Sequence, residues 1–75
     1  MDKKELFPNL AAEMARANLT KPALAQIIGI SLGSMYSKLA GRTEFNLGEI
    51  ETITSTLELM TDQDLTLDYL FKKGD

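Results

Sequence analysis

Apolar residues recur at intervals of three and four through most of this chain, and each break in that rhythm marks a helix boundary. Leu10, Met14 and Ala17 keep the spacing, with Ala11 and Ala15 alongside and Leu19 finishing the face. Pro8 disfavours helix at Phe7, so the first helix is predicted to begin near Pro8 or Asn9. The charged residues 1–8 are expected to fray, although Leu6 and Phe7 can dock on the core. Arg16 is expected on the opposite side of this helix, open to solvent or a phosphate.

Residues 20–41 read as two short helices joined by a tight turn. Thr20 is suited to cap the first, with Lys21 and Pro22 in its opening turn, where a missing N–H costs nothing. Leu24, Ile27 and Ile28 are expected to share one helical face, with small Ala25 beside them. Gly29 suits the left-handed residue that closes a helix, Ile30 follows as a buried pivot, and Ser31 caps the next helix. There Met35 and Leu39, four apart, face inward, and Gly41 ends it. Small Ala25, turn-forming Gly29 four residues later and apolar Met35 six further on have the offsets of a helix-turn-helix, whose second helix enters the DNA major groove.

After the loop Arg42-Thr43-Glu44, two independent devices mark the next helix start. Asn46 with Glu49 forms a capping box, and Phe45 with Ile50 the matching hydrophobic staple. Ile50, Ile53 and Leu57 continue as a core stripe, with Glu49, Glu51, Thr52 and Ser55 facing out. Residues 58–63 are read as a turn and residues 64–71 as a last helix that presents Leu67, Leu70 and Phe71. Lys72, Lys73 and Gly74 supply cations and a terminator. Leu67 and Leu70 are assigned to the core, while Phe71 fits either the core or a dimer seam. The result is a single all-α domain over residues 1–75 with five helices.

Composition narrows the chemistry. The 75 residues suffice for one modest core and include no cysteine and no histidine. That excludes disulfides, most zinc sites, thiol nucleophiles and the usual general base. No nucleophile–base pair is visible, and Asp62, Gln63 and Asp64 do not match a calcium-binding loop. No catalytic residue, cofactor or metal is therefore expected. No apolar run reaches membrane-spanning length and the first residues lack a signal-peptide core, so the cytoplasm is the expected location, with no membrane partner.

The net charge of −3 is divided unevenly. Residues 1–43 hold six cations (Lys3, Lys4, Arg16, Lys21, Lys38, Arg42) against Asp2, Glu5 and Glu13, which leaves +3. Residues 44–75 hold two lysines against eight acidic residues, which leaves −6. Such a split suggests a basic working face and an acidic back.

The ordered set Asn9-Leu10, Glu13-Met14-Ala15-Arg16, Leu24-Ala25, Gly29-Ile30-Ser31, Lys38-Leu39 with Gly41, and Phe45 with Leu47 and Glu49-Ile50 resembles the Cro/repressor-type (XRE-like) helix-turn-helix proteins of phages and prophages. The tail Leu67-Asp68-Tyr69-Leu70-Phe71 resembles the usual ending of that family. The resemblance implies a compact, lambda repressor-like five-helix bundle that binds operator DNA, often as a homodimer, to control transcription. It also implies a recognition helix over residues 32–40, from Leu32 to Ala40. Ser31, Leu32, Gly33 and Ser34 would then face base edges and nearby phosphates, with Ser37 one turn on, and Lys21 would sit where relatives often place a phosphate-binding glutamine.

Many members carry Gln, Arg or Asn where this chain has Leu32 and Gly33. Leu32 offers only apolar contact, for example to a thymine methyl, and Gly33 offers no side chain, so direct readout is expected to be sparse. Ser31, Ser34, Ser37, Lys38 and DNA shape would carry the remaining preference. Lys21, Lys38 and Arg42 are candidate phosphate clamps, against the ordinary alternative of solvated surface charge. Tyr36 fits either a hydroxyl contact to the DNA backbone or a structural aromatic beside Met35. A second class of function is a protein-interaction module, an antirepressor or adaptor, that keeps the fold without DNA.

Overall fold

A computed structural model describes residues 5–74, in which five α-helices follow one another. They are α1 (Pro8–Arg16), α2 (Lys21–Ile28), α3 (Leu32–Leu39), α4 (Leu47–Thr61) and α5 (Leu67–Leu70). Among the described residues there is no strand, and no helix is long and apolar enough to cross a membrane. Lys3, Lys4 and the expected fraying of residues 1–4 lie outside the described residues. Residues 5–8 are held: Leu6 O accepts from Gly74 N at 2.9 Å, and Phe7 packs against the core.

The starts follow the local rules. Pro8 opens α1 as its first helical residue. Thr20 Oγ1 accepts from Ala23 N, and Ser31 Oγ from Ser34 N. Asn46 and Glu49 complete the reciprocal capping box. Thr66 caps α5 by accepting from Tyr69 N, so that helix begins three residues later than expected and ends at Leu70.

The ends share one device. α1 to α4 are each followed by a left-handed residue: Asn18, Gly29, Gly41 and Asp62. After each, the next amide reaches back to a carbonyl five residues earlier, as in Leu19 N to Met14 O and Ile30 N to Ala25 O, both 2.9 Å. Asp62 is why the turn expected over residues 58–63 is wrong. The helix runs on through Glu58 to Thr61 and stops only where an aspartate adopts φ 54°.

The core comprises Leu10 and Met14 of α1, Leu19 ahead of α2, Leu24 and Ala25 of α2, Met35 of α3, Ile53 and Leu57 of α4, and Leu70 of α5. Ile28, Ile30 and Leu39 pack on its edge, half-buried. Ile27, expected among them, is 46% exposed, because it falls on the flank of α2 that no other helix covers. Glu49 is also not an outward residue: besides closing the capping box it pairs with Lys38.

One buried charge ties the two ends of the chain together. Glu13 is 2% exposed and accepts from Arg16 Nε at 3.1 Å, Gln63 Nε2 at 2.9 Å and Tyr69 Oη at 2.9 Å. Burial pushes its carboxyl up, but the three donors and the Arg16 charge outweigh burial and hold it below the ordinary glutamate value. The same bond to Glu13, with burial, raises the Tyr69 phenol. Arg16 pairs with Glu13 through Nε while its side chain stays 61% exposed, open to solvent as expected.

Candidate nucleic-acid interface

The helix pair α2–α3 meets across the turn Gly29-Ile30-Ser31. Gly29 takes φ 78°, which a side chain would resist, and this turns the chain so that Ser31 can start α3 at once. Among the five helices, α3 comes into close backbone contact with α2 alone. Its inner side is anchored by fully buried Met35 and half-buried Leu39. The rest of the helix stands at the edge of the bundle.

Ser31, Leu32, Gly33, Ser34 and Tyr36 are all exposed along the first two turns of α3, and Ser37 is half-buried behind them. The Ser31 hydroxyl uses a lone pair on Ser34 N, which leaves its O–H available to a phosphate. Tyr36 is 46% exposed, and Lys21 Nζ lies 5.7 Å from its ring centroid. That cation–π contact carries the charge of the α2 start to the rim of α3. Tyr36 thus projects outward instead of filling the core beside Met35.

The three candidate clamps separate. Arg42 is exposed, one residue past the left-handed Gly41, and its side chain makes no ion pair among the described residues. Lys21 faces the Tyr36 ring. Lys38 is turned inward: Nζ donates to Glu44 O at 3.0 Å and pairs with Glu49 Oε1 at 3.2 Å, with the side chain 16% exposed. It also lies 5.9 Å from the Phe45 centroid. A lysine with those partners positions α3 against α4 rather than reaching outward.

Two features of this surface lie outside the sequence expectations. Exposed Gln26 and Ile27 border the turn. From residue 14 to residue 43 the chain carries Arg16, Lys21, Lys38 and Arg42 and no acidic residue, a signal legible in the sequence. Among the described residues, Lys38 is engaged internally and Arg16 shares its charge with Glu13 while staying exposed, so Lys21 and Arg42 are the cations of this segment without an ion pair.

A family model described as the BetR domain matches residues 8–73. No curated protein and no solved structure matches the chain. The matched span opens on the first residue of α1 and closes beyond α5, taking in all five helices and the turn between α2 and α3; the chain belongs to the BetR domain family.

Proposed function

We propose that this chain is the double-stranded DNA-binding domain of a transcriptional regulator, of the XRE-like repressor type found in phages and prophages. It acts in the cytoplasm without catalysis, and α3 is its reading helix in the major groove. The observation that carries this reading is the placement of α3. Anchored by Met35 and in close backbone contact with α2 alone, it offers solvent a hydroxyl- and apolar-lined face with no acidic residue of its own. Lys21 and Arg42 neutralise phosphates on either side, positioning the helix without reading sequence. A two-fold homodimer sets two such helices on half-sites about one helical turn apart.

Titration with duplex DNA over a range of salt concentrations tests the reading. Two phosphate contacts per protomer give log K against log salt a slope of about −2 per protomer. Arg42→Ala weakens binding to all sequences alike and makes the slope shallower by about 1. Absence of binding, or binding indifferent to salt, overturns the proposal. The second reading, a protein-interaction module, is favoured by exposed Ile27, Leu32 and Tyr36. It requires a protein partner whose binding survives Arg42→Ala and weakens with Leu32→Ala.

A further inference from the structure

We infer, on the reading that α3 enters the major groove, that its first turn selects thymine through the C5-methyl group. The segment Ser31 to Ser37 contains no Arg, Lys, Asn, Gln, Asp or Glu, so no side chain there can form the forked hydrogen bonds that identify guanine or adenine. Its outward chemistry is hydroxyl and apolar. Leu32 and Tyr36, one helical turn apart, are 38% and 46% exposed, and neither belongs to the buried core. Among major-groove base edges, the apolar group they can meet is the thymine methyl.

Gly33, between them, sharpens this inference. A Cβ there would meet nothing nearer than Ser31 Oγ at 4.0 Å, and its φ is not in the left-handed region. The fold therefore has room for alanine, a better helix former. What the glycine provides is clearance on the outer surface, so the backbone can come close to a base pair and bring Leu32 to the depth of a methyl group.

The probe is a short alternating dA·dT duplex, compared at one fixed salt concentration with the same duplex carrying deoxyuridine for thymidine. The exchange removes only the methyl and keeps every hydrogen-bonding edge. The wild-type protein is expected to bind the thymine duplex about fourfold more tightly for each methyl buried. Leu32→Ala is expected to reduce that preference, and its combination with Tyr36→Ala to abolish it, by weakening binding to the thymine duplex alone. Leu47→Ala, at the same first helical position of α4, is expected to retain it. Equal affinity of the wild type for the two duplexes overturns the inference while leaving DNA binding intact. A preference that persists when Leu32→Ala and Tyr36→Ala are combined also overturns it, because the selection then resides in duplex shape. Failure to bind either duplex removes the underlying reading as well.

Discussion

Glu13 lies furthest from the usual fate of its residue type. A buried carboxylate is tolerated when its lone pairs are met, and Arg16, Gln63 and Tyr69 meet them. Gln63 and Tyr69 come from beyond α4 and from α5, so this one side chain ties α1 to the last third of the chain. Glu13→Gln keeps the volume but loses the charge on three hydrogen bonds, a loss of about 1–2 kcal/mol at neutral pH. Since folding lowers the pKa of this carboxyl, the stability it contributes is full above its ordinary value of 4.5 and declines as pH falls through and below it. Urea unfolding at a series of pH values should show wild type and Glu13→Gln converging on the acid side; a gap independent of pH would contradict this account. Nothing local to Glu13 announces its burial. Its position beside Met14 in the helical rhythm is compatible with either face, and its partners lie 50 and 56 residues away.

At the level of elements, Lys38 connects α3 to the start of α4. Its ammonium donates to Glu44 O and pairs with Glu49, whose carboxylate also accepts from Asn46 N in the capping box. Helix α3 is thereby referenced to a well-capped neighbour although their backbones stay apart. Lys38→Met keeps the aliphatic stem and removes the charge. Its expected cost is about 1 kcal/mol, a fall in Tm of roughly 4–8 °C, with the salt slope of DNA binding unchanged. Arg42→Ala should do the reverse, leaving Tm in place and reducing the slope. The helices themselves were largely legible, because the prolines, Thr20, Ser31, Asn46 and the glycines act within a few residues of where they stand. Two boundaries were misplaced: the end of α4 fell to Asp62, a left-handed stop in a residue type that also begins turns and caps, and the start of α5 to the Thr66 cap.

For the whole molecule, closure depends on three aromatic rings drawn from segments distant in sequence. Phe7 precedes α1, Phe45 lies between α3 and α4, and Phe71 follows α5; their centroids are 5.4 to 6.0 Å apart in edge-to-face contact. Phe71, which the sequence allowed in either the core or a dimer seam, thus belongs to this internal cluster. Together with the Gly74 to Leu6 bond it fastens the last residues to the first. The Cα radius of gyration of 11.5 Å is close to the value of about 11 Å for a folded chain of this length. Phe71→Ala is expected to cost about 2–3 kcal/mol, seen as a lower urea midpoint with unchanged slope. A loss below about 0.5 kcal/mol would mean that the ends are not fastened through this cluster.

By itself, the amino-acid order determined the number of helices, nearly all their starts and stops, and the helix-turn-helix offsets. Those features rest on backbone hydrogen bonds completed within one turn of the residues that encode them. Only the tertiary structure decided that Ile27 is uncovered, that Lys38 turns inward while Arg42 stays exposed, and that Glu13 is buried among distant donors. Periodicity places side chains on a common face, but which neighbour covers that face depends on contacts between residues far apart in the chain.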